Sequence, residues 1–174
     1  MAQYPPGIRA AQVVGLTGAA WLAGNIAGYS LISIPCLLKS HTEHQAPLSL
    51  IVKQWRDMYE AGKAQNPPIA AVTAAAFAYL AWSVHNNVAV AALAPRNAVA
   101  LYSAAAALTV GIVPWTLAAM KPTNGKLLER AGGVWVEDEK AKEEVEGLIG
   151  RWIVLNTIRG VLPLVGAVVG VLAF

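Results

Sequence analysis

The sequence predicts an all-α integral membrane protein: one four-helix bundle with an amphipathic surface helix between helices one and two. Only 13% of the 174 residues are charged and 56% are hydrophobic, whereas soluble domains carry about 25% charged residues. The charges are also segregated, since none occurs in residues 10–38, 64–95, 97–120 or 160–174. About 20 apolar residues cross the hydrocarbon core as a helix. These stretches therefore mark four membrane spans within a single domain, residues 1–174.

The first span is expected over residues 10–38, and an amphipathic helix follows it. Gly24 and Gly28 form a small-xxx-small pair that lets another helix approach closely. The amphipathic helix runs from Pro47, a good first helical residue, to Gly62. Its apolar residues recur at helical spacing, namely Leu48, Ile51, Val52, Trp55 and Tyr59. We expect this helix to lie on the membrane surface or to cap the bundle, away from any chemistry.

Proline and glycine place the remaining boundaries. The second span is expected over 67–85, starting at Pro67-Pro68; the third over 97–120, ending before Lys121-Pro122; and the fourth over 148–174. A turn at 122–125 and an acidic, helical stretch at 137–146 fill the second long loop. Gly166 and Gly170 form another small-xxx-small pair. Both pairs are compatible with internal packing or with a homo-oligomer.

The basic residues predict the topology. Cytosolic loops carry an excess of Lys and Arg. Of the 13 basic residues, ten lie on the side of the two long loops: Lys39, Lys53, Arg56, Lys63, Lys121, Lys126, Arg130, Lys140, Lys142 and Arg151. Arg9 and Arg96 lie on the other side. We therefore expect the long loops in the cytosol and both termini in the lumen, in the endoplasmic reticulum or a related endomembrane.

Arg159 is the candidate functional residue with the strongest physical argument. It is the only charged residue from Trp152 to Phe174, and placing a charge inside the bilayer is costly. Trp152, Asn156 and Arg159 recur at intervals of four and three, so they share one helix face. The spans contain no Asp or Glu to pair with the guanidinium, which would attract an anion or an electron-rich ring. The alternative is structural, with Arg159 and Asn156 bonded to helix carbonyls or Arg159 extended to the interface.

Depth counting at 1.5 Å per residue predicts a polar layer across the bundle near the level of Arg159. Its members on the other helices are Tyr29, Asn25, Tyr79 and Thr109. Each of these side chains is also compatible with a packing role and an internally satisfied polar group.

Histidine and cysteine give no metal site. His41 and His44 lack a third ligand nearby, and Cys36 is the only cysteine. His85 falls near the far end of the second span, where a boundary residue and a base are both possible. No phosphate-binding, dinucleotide or haem motif occurs. The basic residues lie in loops, so we expect a lipid bilayer and no nucleic acid as a partner.

Three segments resemble a known family when they are taken in order. They are Gln54-Trp55-Arg56-Asp57-Met58-Tyr59-Glu60-Ala61-Gly62, then Pro114-Trp115-Thr116 continuing to Pro122-Thr123-Asn124 and Leu127-Leu128, then Trp152, Asn156, Arg159 and Pro163. Together they are similar to the small fungal membrane proteins called anthrone oxygenases. The resemblance covers most of the chain.

The resemblance implies a reaction. Such enzymes convert an anthrone to an anthraquinone with O2, so the expected partner is an apolar aromatic small molecule and the expected co-substrate is O2. The resemblance implies no nucleotide or flavin cofactor, and a bound metal stays open. Trp152, Asn25, Tyr79, Thr109 and Trp115 would line the substrate slot. Arg159 and Asn156 would stabilise an anion, and Tyr29, His85 or water would serve as the base.

Two other function classes fit the same sequence. A non-catalytic four-span scaffold would anchor soluble pathway enzymes through the amphipathic helix and the acidic stretch. A small transporter or channel fits less well, because the chain has no repeated half and only one charge within its spans.

Overall fold

The computed structural model describes residues 4–174, and these residues form helices and connecting loops without a β-strand. Four helices in this range are long and apolar enough to cross a membrane: α1 (Pro6–His44), α2 (Leu48–Asn86), α3 (Ala98–Gly132) and α4 (Glu139–Val171). A one-turn helix, Val88–Ala91, follows α2. The predicted fold class, an all-α membrane protein with four spanning helices, is confirmed.

The helices are longer than the predicted spans. With 39 residues each, α1 and α2 measure about 58 Å at 1.5 Å per residue, against a hydrocarbon core of about 30 Å. The predicted turn at 122–125 is wrong, because these residues lie inside α3. Pro122 stands in the first turn of the segment Lys121–Gly132, where a missing N–H costs little. Buried Leu127 and Ala131 give this segment an apolar face that stabilises it.

The predicted separation between a surface helix and the second span is also wrong. Residues 48–86 form one continuous helix that passes through Pro67 and Pro68. The two prolines leave the carbonyls of Lys63 and Ala64 without their usual helical donors. The residues on the N-terminal side compensate by packing, since Leu48 and Trp55 have no exposed surface. Tertiary burial therefore extends a helix that local sequence signals would begin at Pro67.

The chain divides into two compact units, and each long helix contributes a part to both. The first unit comprises the described residues of 4–24, with 66–114 and 160–174. Its core surrounds Phe77, Leu80 and Tyr102, all of them buried. Gly15 and Gly170 make room for Phe77, because a Cβ atom on either glycine would lie within 2.8 Å of its ring.

The predicted small-residue pairs behave differently from each other. In the first unit, a Cβ atom on Gly166 would lie 3.0 Å from the Thr109 hydroxyl oxygen, so Gly166 and Gly170 serve close internal packing. A Cβ atom on Gly24 or Gly28 would meet no described atom within 4 Å. Gly24 and Gly28 therefore do not serve close packing among the described residues, and their use in a homo-oligomer stays a prediction.

The second unit comprises residues 25–65 and 115–159. Its core contains Ile34, Leu48, Trp55, Met120 and Trp152, each at most 2% exposed. Apolar residues from all four long helices thus meet in this unit. The amphipathic face of residues 48–59, which the sequence places on the surface, supplies several of them.

The N-terminus of α2 is capped from a distant loop of the same unit. The carboxylate of Glu137 accepts hydrogen bonds from the backbone N–H groups of Leu48 at 3.1 Å and Ser49 at 2.9 Å. The first N–H groups of a helix have no partners within the helix. The bond from the Ser49 backbone holds the pKa of the Glu137 carboxyl below its usual value, with smaller support from Leu48 and from nearby His41.

Candidate active site

Arg159 lies half-buried on α4 in the second unit. Its Nη1 donates to the hydroxyl of Thr116 at 3.3 Å, and the phenol groups of Tyr59 and Tyr29 lie within reach of its charge. Its buried Nε atom has no hydrogen-bond partner among the described residues. Thr116 is a neutral acceptor. The guanidinium thus keeps capacity for an anionic oxygen.

Asn156 lies one turn before Arg159 and is fully buried. Its Nδ2 donates to the carbonyl of Ile26 at 2.9 Å and to the hydroxyl oxygen of Ser30 at 2.8 Å. The Ser30 hydroxyl in turn donates to the carbonyl of Ile153. These bonds tie α4 to α1 and hold the amide in one orientation. They bear out part of the structural alternative, in which Asn156 bonds to helix carbonyls.

Two buried tryptophans complete the group. Trp152 is one turn before Asn156 on α4, and its ring meets the ring of Trp55 edge to face, with centroids 5.9 Å apart and planes at 89°. The ring of Tyr59 stacks on Trp55 at 5.2 Å. Neither indole N–H has a partner in the part of the chain that the structure describes. An unsatisfied buried donor costs about 1–3 kcal/mol.

The structure brings six of the predicted site residues into this unit: Arg159, Asn156, Tyr29, Trp152, Asn25 and Trp115. Asn25 is half-buried on α1. Trp115 donates from Nε1 to the carbonyl of Leu155 at 3.1 Å, so its indole is a tie between α3 and α4.

Three predicted residues belong to the first unit instead. Thr109 is fully buried there, and its hydroxyl donates to the carbonyl of Ala105 at 2.8 Å. Tyr79 is 44% exposed and stacks on Trp82. His85 is exposed near the end of α2. The polar layer that would join Tyr79 and Thr109 to Arg159 stays a prediction.

Sequence reasoning missed four residues of this group: Trp55, Tyr59, Ser30 and Thr116. The sequence predicts that Trp55 and Tyr59 lie on a peripheral surface helix, but Trp55 is fully buried against Trp152. Their position on the same apolar helix face as Leu48 and Val52 is the signal that could have indicated burial. Ser30 and Thr116 carry no sequence signal that distinguishes them from ordinary helical hydroxyls.

Both π-helical turns in the described residues border the group. One spans Tyr29–Ser33 in α1, and the other spans Thr116–Met120 in α3. They supply Tyr29 and Ser30 on one side and Thr116 on the other. Single π-helical turns within α-helices occur frequently at functional sites. Two independent helices are thus irregular where they approach Asn156 and Arg159.

Metal-ligating side chains are dispersed. Among residues 4–174, no three side chains of His, Cys, Asp or Glu lie together in a way that could hold a metal ion. His41 makes a 2.6 Å contact from Nδ1 to the carbonyl of Ala46 at the end of α1.

Comparison with known proteins identifies the family of this chain. A family model described as anthrone oxygenase matches residues 55–169, from Trp55 through the whole of the Trp152–Arg159 segment. The chain belongs to the anthrone oxygenase family. The resemblance carried by the three sequence segments is thereby confirmed.

Individual relatives cover nearly the whole chain. An anthrone oxygenase of Aspergillus fumigatus is 38% identical over 93% of this chain and 91% of its own length. An anthrone oxygenase of Claviceps purpurea is 32% identical over 91% of this chain and 84% of its own length. A noranthrone monooxygenase of Aspergillus flavus is 33% identical over 90% of this chain and 69% of its own length. No solved structure matches the chain.

Proposed function

We propose that this anthrone oxygenase family member is a membrane-bound monooxygenase that uses O2 to oxidise an anthrone-type polyphenol to an anthraquinone. The observation that carries the proposal is the group around Arg159, where a half-buried guanidinium, its Nε unpartnered among the described residues, shares a helix face with buried Asn156 and Trp152. The names of relatives such as anthrone oxygenase and noranthrone monooxygenase support the same reaction class.

The atoms and electrons of the proposed reaction balance without an external reductant. Loss of a proton from the anthrone CH2 gives a delocalised carbanion, which passes one electron to O2 and then combines with the resulting superoxide. Protonation gives a hydroperoxide at the former CH2. Loss of the remaining C–H proton, with cleavage of the O–O bond, gives the new C=O and water. The sum is CH2 + O2 → C=O + H2O.

The site supplies three groups that this reaction needs: a cation, a base and an apolar surface. Arg159 stabilises the carbanion by charge, because a preorganised cation in a low-dielectric site acts strongly on developing negative charge. Tyr29 and Tyr59 are the candidate bases, since both phenols lie within reach of that charge. Trp152 and Trp55 provide flat apolar surface for a tricyclic substrate. We expect no nucleotide or flavin, and O2 as co-substrate.

Oxygen consumption by the purified protein in detergent tests the proposal. Addition of a hydroxyanthrone should consume one O2 per anthraquinone formed, without NAD(P)H, and 18O2 should place one labelled atom in the quinone. Boiled protein controls for spontaneous oxidation of the anthrone. An absolute requirement for NAD(P)H would contradict the proposed stoichiometry. Stoichiometric iron or copper, removed together with activity by a chelator, would contradict the metal-free mechanism proposed above.

The scaffold alternative would dock soluble enzymes on the amphipathic helix of residues 47–62 and on the acidic stretch. Burial of the apolar face of residues 47–62 counts against the first of these surfaces. That face packs into the core of the second unit instead, where Leu48, Ile51, Val52 and Trp55 are at most 1% exposed.

The proposed location is the endoplasmic reticulum or a related endomembrane, with the long loops in the cytosol and both termini in the lumen. The ten basic residues beside the long loops against two on the other side support this orientation.

A further inference from the structure

Besides Nε of half-buried Arg159, three polar atoms on fully buried side chains of the candidate active site lack a hydrogen-bond partner among the described residues. They are Nε1 of Trp55, Nε1 of Trp152 and Oδ1 of Asn156, on side chains that are 0%, 2% and 0% exposed. Buried polar groups in native proteins are nearly always satisfied by protein, water or ligand. Three such atoms in one neighbourhood therefore require a common explanation.

The three side chains are adjacent. The rings of Trp55 and Trp152 lie 5.9 Å apart at 89°, and Asn156 follows Trp152 by one helical turn on the same face. The amide orientation of Asn156 is set by chemistry: the carbonyl of Ile26 can only accept, so the amide atom 2.9 Å from it is the NH2 group. The unpartnered atom of Asn156 is consequently its carbonyl oxygen. The set offers two donors and one acceptor.

We propose that Trp55, Trp152 and Asn156 form a subsite that binds the oxygen substituents of a hydroxylated anthrone. This assignment rests on the proposed function. The indole N–H groups donate to the ring carbonyl oxygen, and the Asn156 carbonyl accepts from a neighbouring phenol O–H. An anthrone with a phenol beside its carbonyl presents at one edge a carbonyl oxygen with two lone pairs for the two indole N–H groups and a phenol O–H, which exchanges its internal hydrogen bond to the carbonyl for one to Asn156.

The same donors act on the reaction. When the CH2 loses its proton, the negative charge spreads to the carbonyl oxygen through the ring. Hydrogen bonds from the indoles then strengthen, because an anionic acceptor binds an N–H donor more tightly than a neutral one. Trp55 and Trp152 therefore determine specificity for oxygenated substrates and also lower the barrier to proton loss.

The test removes the N–H groups, and only the benzothienyl analogue does so without changing the shape of the side chain. Trp55→Phe and Trp152→Phe are the genetic variants, and incorporation of 3-benzothienylalanine at position 55 replaces the N–H by sulphur in an isosteric ring. Trp135→Phe is the matched control, since its indole N–H already donates to the carbonyl of Arg130 at 3.0 Å. Each protein is assayed by oxygen consumption with 1,8-dihydroxyanthrone and by melting temperature.

The benzothienyl protein should melt at or above the wild-type temperature, because a buried donor without a partner is removed. Its kcat/KM for 1,8-dihydroxyanthrone should fall at least about tenfold, the loss of one hydrogen bond to a developing anion. Trp135→Phe should retain wild-type kcat/KM. A lower melting temperature with unchanged kcat/KM would overturn the proposal, because it would show that the N–H is satisfied within the folded protein.

A second measurement separates this subsite from the proposed reaction. 1,8-Dihydroxyanthraquinone, which undergoes no turnover, should raise the wild-type melting temperature more than unsubstituted anthraquinone does, and the benzothienyl protein should lose this difference. Absence of anthrone oxidation by the wild type would refute the proposed function alone. Equal shifts from both quinones in the wild type would refute the subsite, whether or not turnover is observed.

Discussion

The charge of Arg159 is the feature on which the proposed chemistry depends most, and Arg159→Met removes it at nearly constant volume. Among the described residues the side chain makes one hydrogen bond, a 3.3 Å contact with Thr116, and its buried Nε makes none. The lost bond is worth about 0.5–1.5 kcal/mol. Relief of a costly charge in the membrane offsets it. We therefore expect the variant to melt at or above the wild-type temperature.

Catalysis should respond in the opposite direction. Loss of one preorganised electrostatic contact raises a barrier by about 2–4 kcal/mol, which is about a 30- to 900-fold fall in rate at 1.36 kcal/mol per factor of ten. Arg159→Lys should recover only part of this, because a point charge does not reproduce the planar guanidinium fork. Oxygen consumption and melting temperature are measured on the same detergent preparations.

Arg151→Met is the matched control, since Arg151 is exposed two turns earlier on the same helix and should leave activity unchanged. Thr116→Val separates the hydrogen bond from the charge and should change the rate much less than Arg159→Met. A stable and fully active Arg159→Met protein would refute the assignment of Arg159. An unstable protein with normal activity per folded molecule would show that Arg159 serves structure.

The remaining predictions concern the base, the helix cap and the topology. If Tyr29 or Tyr59 accepts the proton, its Phe variant should lower kcat at least about tenfold and shift the pH–rate profile. Wild-type oxygen consumption by both Phe variants would instead assign the base to water. Glu137→Gln should lower thermal stability at neutral pH by less than about 1 kcal/mol, a discounted cap value for a largely solvated group. Because the pKa of Glu137 is depressed in the folded state, its contribution is fully present above the unfolded pKa near 4.5 and is lost as pH falls through the folded pKa. Melting curves from pH 7 to pH 3 should therefore converge for the two proteins, and a constant gap would contradict the cap. A C-terminal glycosylation tag should be modified in cells, and an unmodified tag with a modified loop tag would reverse the proposed orientation.

The existence of the four spans could be predicted because charge is expensive in a bilayer and its absence is visible in the sequence. Their lengths could not, since Pro67 and Pro122 are ordinarily boundary signals. In α2 and α3 these prolines are overridden by the burial of Trp55, Leu48 and Leu127. Proline positions in the sequence indicate where the backbone disfavours a helix. The burial that stabilises the helix despite these prolines is visible only in the packed structure.

The candidate site was predictable where a single helix carries it. Trp152, Asn156 and Arg159 share one face of α4 at regular spacing, so helical geometry suffices. Partners on other helices were predicted by depth counting, which assumes straight spans with common boundaries. The structure departs from that assumption at the π-helical turns and at the extended α2. Depth counting therefore gives no signal for Trp55 and Tyr59.

The π-helical turn of α1 changes the spacing at which buried residues recur. From Ile8 to Leu22 buried residues recur at alternating intervals of four and three, and from Leu22 through the turn to Ile34 at intervals of four; the positions are Ile8, Gln12, Gly15, Ala19, Leu22, Ile26, Ser30 and Ile34, with Ala23 buried beside Leu22. In a regular helix of 3.6 residues per turn, buried residues spaced by four would move steadily around the helix axis. The extra residue of the π-helical turn keeps them on one face. Deleting one residue within 31–33 should therefore restore a regular helix and leave Ile34 on the buried face, because an α-helix reaches the same angle with one residue fewer.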